Sequence, residues 1–318
     1  MSTASAARIL SPDEARRALE GREIVVPASI ANLGAGFDAL AVAVQLYLRV
    51  RVRAVDDVAR NEVHTHFTDG RLDGQCYIAR SVRTLATRNH LDFPSLDVEV
   101  SSDIPMQAGL GSSAAAIVAG LRLYSALAGD PDVDILTEGT ALEGHPDNIA
   151  AATLGGLAIG CVADGGRVIG LSCPWPEDLR FVTATPQAQV KTPEARVVLP
   201  SQISRADGAF NLQRATLLIM AVRARRFDLL REALRDRWHQ PYRTSLVPGL
   251  KEALELEHPD LVGVCLSGSG PTVAALCAGD TAGVEAAMRG IYERLGVACR
   301  IRVLAAHNPP AGTETERP

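Results

Sequence analysis

Ile104-Pro105-Met106-Gln107-Ala108-Gly109-Leu110-Gly111-Ser112-Ser113-Ala114-Ala115 is the stretch that decides the fold. Its two glycines tolerate positive φ and let the backbone approach a ligand closely. The apolar residues 114–127 that follow predict a helix, so the free N–H groups of the loop and the positive end of the helix dipole meet at one point. We therefore predict an anion site at this glycine loop (residues 104–115), and the hydroxyls beside it suit a nucleotide with its metal ion.

By itself, the glycine loop permits other interpretations. Gly109-x-Gly111-x-x-Ala114 matches a dinucleotide-binding fingerprint, but that fingerprint needs a strand running into the first glycine and an acidic residue about 20 residues later, at the end of a second strand. The sequence predicts that neither condition is met, because Pro105 intervenes and the residues at 129–134 (Gly-Asp-Pro-Asp-Val-Asp) favour a turn. The loop also lacks the Gly-Lys-Ser/Thr of a Walker A sequence. A plain turn capped by serines stays open.

Composition excludes several classes of protein. The chain has 318 residues, 47% of them hydrophobic, and a net charge of −5, which predicts a globular protein of two domains. The one dense basic run, residues 223–226, indicates a solvated helix face, so we expect no nucleic-acid partner. We also expect no membrane span and no signal peptide, and hence a cytoplasmic location. Scattered cysteines without a Cys-x-x-Cys pair argue against disulfides or zinc.

Strands and helices are intermixed without regular alternation, which favours an α+β fold. The alternating residues Leu96–Val100 predict a half-buried strand that leads into the glycine loop. The proline-containing segment 172–178 predicts a boundary between domains at 1–172 and 173–318, with a disordered tail from about residue 308. Residues 191–196 are expected to form a loop.

Three further motifs accompany the glycine loop. They are Pro-Ala-Ser-Ile-Ala-Asn-Leu-Gly-Ala-Gly-Phe-Asp at 27–38, Glu-Gly-His-Pro-Asp-Asn at 143–148 and Leu-Ser-Gly-Ser-Gly-Pro-Thr at 266–272. Together they resemble the signature motifs of the GHMP kinase superfamily, over residues 25–302. Thr-Pro-Glu-Ala-Arg at 192–196, Gln-Pro-Tyr-Arg at 240–243 and Val-Pro-Gly at 247–249 are similar to the homoserine kinase family within it.

The resemblance implies a fold and an activity. The fold would be a two-domain GHMP kinase fold, with an N-terminal ATP-binding domain like ribosomal protein S5 domain 2 and a ferredoxin-like C-terminal domain, often as a homodimer. The activity would be ATP-dependent phosphorylation of the side-chain hydroxyl of L-homoserine to O-phospho-L-homoserine, in threonine biosynthesis. We expect the active site in the cleft between the domains.

The resemblance also implies substrate-binding residues. Arg196 and Arg243 are the candidates for the carboxylate of the substrate, because guanidinium groups bind carboxylates bidentately. Asp38 would accept from the ammonium group. Asn32 and His145 would add neutral hydrogen bonds, and the resemblance places Gly268 in the same set.

The glycine loop would bind the phosphates of ATP through backbone N–H groups. The candidate ATP-binding residues are Pro105, Gln107, Ala108, Gly109, Leu110, Gly111, Ser112, Ser113, Ala114 and Ala115. Ser113 and Glu143 would hold Mg²⁺, a hard cation that prefers oxygen ligands. Glu138 is the competing carboxylate, and Asp134 and Asp147 are assigned structural roles.

The motif at 143–148 also bears on the catalytic step. Asn148 stands where several GHMP kinases have Asp, and an amide does not accept a proton. Positioning and charge stabilisation carry most of the rate in phosphoryl transfer. We therefore predict direct in-line transfer, with Asn148 orienting the hydroxyl and Asp38 as the alternative base.

Two departures from the family pattern and two other functions stay open. Ala35 replaces a usual proline, and residues 106–108 replace a stretch that often includes arginine. One alternative is a GHMP kinase for another small hydroxyl substrate; an uncharged alcohol would not need Arg196 and Arg243. The other is a non-catalytic ligand sensor on the same scaffold, although a sensor could lose Ser113 and Glu143, which this chain retains.

Overall fold

The computed structural model describes residues 8–70, 76–129, 133–188 and 192–308. The tail that the sequence predicts to be disordered lies, from residue 309 onward, outside the described residues. Within the described ranges, no helix is both long and apolar enough to cross a bilayer.

Within the described part of the chain, the first sheet has six strands in the order β3-β4-β2-β5-β6, with β1 also paired to β2. Only the β3–β4 pair is parallel among the registers of this sheet in the described residues. The strands are β1 (Glu23–Ala31), β2 (Leu40–Ala59), β3 (Val63–Phe67), β4 (Pro94–Ser102), β5 (Leu157–Val162) and β6 (Val168–Cys173).

Five helices of the described residues accompany this sheet. They are α1 (Pro12–Leu19), α2 (Tyr77–Arg88), α3 (Ser112–Ala128), α4 (Ile135–Glu143) and α5 (Asp147–Leu154). The helix predicted after the glycine loop is α3, and it is apolar around most of its circumference because it is buried between α2 and the sheet. Gly120 permits this packing, since a Cβ there would lie 2.5 Å from the carbonyl oxygen of Ile78. The helix ends at Gly129, a left-handed cap with φ +57°.

The second sheet is antiparallel, with the order β10-β7-β9-β8. Its strands are β7 (Arg180–Pro186), β8 (Leu261–Leu266), β9 (Val273–Cys277) and β10 (Cys299–Leu304). Several helices connect β7 to β8, and another helix connects β9 to β10, which gives the split β-α-β arrangement of a ferredoxin-like domain. The predicted α+β fold is confirmed.

The helices of this second part are α6 (Thr192–Val197), α7 (Arg205–Arg223), α8 (Leu230–Ala233), α9 (Gln240–Arg243), α10 (Leu250–Leu254) and α11 (Ala282–Arg294), with a 3₁₀ turn at Phe227–Leu229. The expectation of a loop at 191–196 is wrong from residue 192 onward, because this stretch begins α6. Six residues are too few for hydrophobic periodicity to predict a helix. Tertiary packing stabilises it instead, since Ala195 is fully buried.

The two parts of the chain are tied together at the C-terminus. After β10 the backbone returns to the first sheet, where the N–H of His307 donates to the carbonyl of Ala43 at 2.8 Å. The side chain of Asn308 exchanges two hydrogen bonds with the backbone of Trp175. Trp175 lies between β6 and β7, inside the segment predicted as a boundary, and stacks on Phe181. The division at 172/173 stays a prediction.

Candidate active site

One cavity of about 410 Å³ brings the motifs together. Thirteen of the predicted site residues line it: Asn32, Asp38, Gln107, Gly109, Gly111, Ser112, Ser113, Glu143, His145, Asn148, Arg196, Arg243 and Gly268. Among the remaining predicted residues, Ala108, Leu110, Ala114 and Ala115 are buried in the protein. Pro105 lines a neighbouring surface groove instead.

The glycine loop has the left-handed backbone that its sequence predicts. Gly109 and Gly111 have φ +75° and +70°. A Cβ at Gly109 would lie 2.3 Å from the carbonyl oxygen of Ser267, and one at Gly111 would lie 2.2 Å from Oγ of Ser29. Both glycines are therefore required by their backbone conformation and by the close approach of other motifs.

Neighbouring motifs hold the carbonyl groups of this loop. The hydroxyl of Ser267 donates to Gly109 O at 2.6 Å, and the N–H of Ser29 donates to Leu110 O at 3.1 Å. By contrast, the N–H groups of Gly109 and Gly111 donate to no backbone acceptor in the described part of the chain. These N–H groups and the start of the 17-residue helix α3 form a site suited to a phosphate group.

A hydroxyl and a carboxylate lie beside the loop. Ser113 Oγ donates to Glu143 Oε1 at 2.6 Å. Burial raises the pKa of Glu143, and the hydrogen bond from Ser113 opposes that shift only in part. Burial disfavours the charged form of the Glu143 carboxylate, and a divalent cation would offset that cost. With the hydroxyl of Ser113 as a second oxygen ligand, the pair suits a hard cation.

The competing carboxylate, Glu138, and the structural Asp134 both lie outside this pair. Glu138 pairs with Arg88 and does not line the cavity. Asp134 caps α4 by accepting from the N–H of Thr137 at 3.1 Å, as its structural assignment predicts.

Asp147 does more than the structural role that the sequence suggested. It is 1% exposed, and its Oδ1 bonds Nδ1 of His145 at 2.6 Å and accepts from the N–H of Asn148 at 2.8 Å. Burial lowers the pKa of His145, but the hydrogen bond and charge of Asp147, with Glu143 and Asp38, outweigh burial, so the pKa lies above its usual value. Asp147 therefore fixes the orientation of His145 toward the cavity.

Asn148 is anchored from the other side. Its Oδ1 accepts from Ser29 Oγ at 2.6 Å, and its Nδ2 donates to Asp147 at 3.3 Å. An amide nitrogen has two hydrogens, so one remains for a ligand.

Asp38 and Arg196 pair with each other. The two carboxylate oxygens of Asp38 accept from the two terminal nitrogens of Arg196 at 2.8 and 2.9 Å. The backbone of Asp38 is held at φ +53°, and its N–H donates to Oδ1 of Asn32 at 3.0 Å. Asn32 also donates to the carbonyl of Gly268 at 2.9 Å, which joins the first motif to the last.

Arg243 is a buried cation. Its side chain donates to the carbonyls of Ala195 and Gly268, at 3.1 and 3.0 Å. Burial and the nearby charge of Arg196 lower the pKa of Arg243 to about 10, so it remains charged at neutral pH. No carboxylate of the described residues is bonded to it, so a ligand carboxylate is a suitable counter-ion.

Sequence reasoning missed several residues of this cavity. Phe37 lies between the two arginines, with its ring centre 5.6 Å from the guanidinium carbon of Arg196 and 5.5 Å from that of Arg243. Its position next to Asp38 was an available signal. Phe67 and Tyr77 line the apolar end of the cavity, and no motif signals them.

Comparisons with known proteins show the family to which this chain belongs. Residues 77–156 match the GHMP kinases N terminal domain, and residues 218–293 match the GHMP kinases C terminal family. The chain is 40% identical to a homoserine kinase of Thermus thermophilus over 91% of this chain and 93% of that protein. It is 37% identical to a homoserine kinase of Moorella thermoacetica over 89% and 96%. Among solved structures, the homoserine kinase from Cytophaga hutchinsonii matches with a TM-score of 0.77 at 24% identity, over 90% of this chain and 95% of that one.

Proposed function

This chain belongs to the homoserine kinase family of the GHMP kinase superfamily, and we propose that its cavity transfers the γ-phosphate of ATP to the side-chain hydroxyl of L-homoserine. The product is O-phospho-L-homoserine, an intermediate of threonine biosynthesis. One observation carries this proposal: the same cavity is lined by a glycine loop suited to an anion and by the buried guanidinium of Arg243, which bonds no carboxylate of the described residues.

The part of the cavity lined by the glycine loop, Ser113 and Glu143, which we call the loop end, supports the binding of ATP. The N–H groups around Gly109 and Gly111 would bind the phosphates, and the apolar end lined by Phe67 and Tyr77 would accept the base. Ser113 and Glu143 would hold Mg²⁺, which neutralises charge on the phosphates when bound. Ser113 is placed for this by the first turn of α3, and Glu143 by the last turn of α4.

A second group of lining residues, which we call the substrate end (Asn32, Asp38, His145, Arg196, Arg243 and Gly268), supports the binding of a zwitterion. Arg243 would bind the carboxylate, with Arg196 beside it. Asp38 would bind the ammonium group. Asp38 and Arg196 neutralise each other when no substrate is bound. A bound amino acid would replace this internal pair with two others, one between its ammonium group and Asp38 and one between its carboxylate and Arg196.

Phosphoryl transfer would proceed in line, without a covalent enzyme intermediate. Asn148 has one amide hydrogen left for the substrate oxygen, whereas Asp38 pairs with Arg196 in the free protein and would bind the ammonium group of a bound substrate. The contacts therefore favour Asn148 as the orienting group over Asp38 as a base. We expect Asn148→Ala to lower kcat by about tenfold to hundredfold with little change in KM for ATP. A full kcat would exclude the orienting role, and an acid limb in the kcat–pH profile that disappears in Asp38→Asn would identify Asp38 as the base.

The proposed function is tested by ADP release with a panel of hydroxy amino acids, polyols and mevalonate. Turnover is expected with homoserine at a kcat/KM far above the others. A preference for an uncharged alcohol would support another GHMP kinase activity. Binding of both ligands without turnover would support a sensor.

The cytoplasmic location and the homodimer belong to the same proposal, and they are supported by the resemblance of the whole chain to homoserine kinases. Light scattering coupled to size-exclusion chromatography distinguishes a dimer from a monomer of 33.7 kDa.

A further inference from the structure

His239 connects the substrate end to the first motif. It directly precedes α9, is 0% exposed, and has no place in the motif assignments above. Its Nε2 lies 2.8 Å from the carbonyl oxygen of Gly34, and its Nδ1 lies 3.2 Å from Nη1 of Arg243. Its backbone N–H donates to the fully buried carboxylate of Asp236 at 2.9 Å.

Only one form of the ring satisfies both side-chain contacts. The carbonyl of Gly34 can only accept, so Nε2 carries the proton. Nη1 of Arg243 can only donate, so Nδ1 must offer its lone pair. Burial lowers the pKa of His239, although the charge of Asp236 opposes the shift, and the lowered pKa favours the neutral ring that these bonds require.

These contacts leave one nitrogen of Arg243 for a ligand. Nε donates to Ala195, and Nη1 donates to both Gly268 and His239. Nη2 donates to no acceptor in the part of the chain that the structure describes. Because the guanidinium is planar, fixing Nε and Nη1 also fixes the direction in which Nη2 donates.

The other side of His239 is equally fixed. Gly34 has φ +70°, and a Cβ there would lie 2.1 Å from the carbonyl oxygen of Leu234, at the end of α8. The loop that carries Asn32 and Asp38 is thus seated against the backbone beside α8. The imidazole bridges this loop to Arg243, and the Phe37 ring packs 5.3 Å from it.

We propose that His239 is a positioning residue for carboxylate recognition: it sets the rotation of the Arg243 guanidinium so that Nη2 is directed at the substrate, and it ties that direction to the first motif through Gly34. The inference rests on the proposed function, because it takes the ligand to be an amino acid. It assigns a role in binding homoserine and none in binding ATP.

Two amide substitutions separate the two contacts. His239→Gln can place its amide nitrogen near the position of Nε2 and keep the bond to Gly34, while it loses the acceptor for Arg243. His239→Asn can place its amide oxygen near the position of Nδ1 and keep the acceptor, while it loses the bond to Gly34. We expect His239→Gln to raise KM for homoserine by about tenfold. His239→Asn should raise KM for homoserine by less than about threefold, but it should lower Tm more than His239→Gln does.

KM for ATP should stay within about twofold of wild type in both variants. The inference is overturned if His239→Gln leaves KM for homoserine unchanged. It is also overturned if both variants weaken both substrates in step with their loss of Tm, because that pattern indicates structural support alone. Absence of homoserine turnover by the wild-type enzyme refutes the proposed function instead, so the two failures are distinguishable.

A measurement on the wild-type protein covers the case in which neither variant folds. Long-range ¹H–¹⁵N NMR of histidine-labelled enzyme should show a neutral Nε2–H tautomer for His239. An Nδ1–H tautomer or a charged ring at neutral pH would contradict the bond from Arg243 and overturn the inference.

Discussion

The loop end and the substrate end of the cavity are built by different means. The loop end uses backbone N–H groups of consecutive residues, with two glycines in the left-handed region. The substrate end uses charged and polar side chains from four separate segments of the chain, held by carbonyls such as Gly268 O. An added methyl group should therefore lower the activity most at the loop end. A change of side-chain geometry should lower it most at the substrate end. Four substitutions test this comparison, in order of decreasing effect.

Gly109→Ala should have the largest effect. Its Cβ would meet the backbone oxygens of Ser267 and Gly270 at 2.3 and 2.8 Å, so the loop must move by about 1 Å. With the lost N–H contacts, kcat/KM for ATP should fall by about a thousandfold. Steady-state kinetics measure this effect.

Gly296→Ala is the matched control for backbone strain. Gly296 has φ +66°, but a Cβ added there would have no other atom within 4 Å. The variant should lose about 1–2 kcal/mol of stability and keep its kinetics. Equal kinetic losses in the two variants would show that strain, not the clash at the loop, lowers the activity.

Glu143→Gln should lower kcat by about a hundredfold at saturating Mg²⁺, because it removes a charged oxygen ligand. Glu138→Gln is the control, since Glu138 pairs with Arg88 outside the cavity and should leave kcat unchanged. A similar fall in kcat in both variants would support Glu138 as the metal ligand and contradict the assignment of Glu143.

Glu143 also makes a prediction about stability and pH. Burial raises the pKa of Glu143 in the folded protein. Its contribution to stability is therefore complete below the unfolded-state pKa and is lost as the pH rises through the folded-state value. Metal-free Glu143→Gln should be at least as stable as wild type at pH 8, and thermal unfolding from pH 5 to 8 measures the difference. A Tm of Glu143→Gln below that of wild type at pH 8 would contradict the raised pKa of Glu143.

Arg243→Lys should raise KM for homoserine by about thirtyfold. The ammonium keeps the charge but cannot hold Ala195, Gly268 and a ligand in one plane. Arg235→Lys, at a surface pair with Glu232, should change KM by less than twofold. If KM is unchanged in Arg243→Lys, charge alone suffices and the planar geometry is irrelevant.

Phe37→Leu should have the smallest effect, about a fivefold rise in KM for homoserine, because it removes the ring beside Arg196 and Arg243. Phe227→Leu is the matched control. The ring centre of Phe227 lies 5.4 Å from the guanidinium carbon of Arg225, and neither residue lines the cavity. A rise in KM for ATP as large as that for homoserine would place the effect of Phe37 outside the substrate end.

Prediction from sequence succeeded where the chemistry is local. The helix after the glycine loop was predicted because its apolar run follows glycines directly, and the strand before the loop was predicted because its residues alternate. Helix α6 was missed because Arg243 and other distant groups stabilise it. His239 was missed because a lone histidine has no signal until its two partners are known, although its spacing of four residues from Arg243 was available.

The sequence by itself determined the family and the fold class, and it predicted the anion loop, because glycine conformation and helix polarity are properties of consecutive residues. Only the tertiary structure decided that Asp38 pairs with Arg196, that Asp147 orients His145, and that His239 sets the direction of Arg243. Each of these contacts joins side chains whose distance and angle depend on how the two sheets and their helices pack. A hydrogen bond depends steeply on that geometry, so the residue types alone do not specify it.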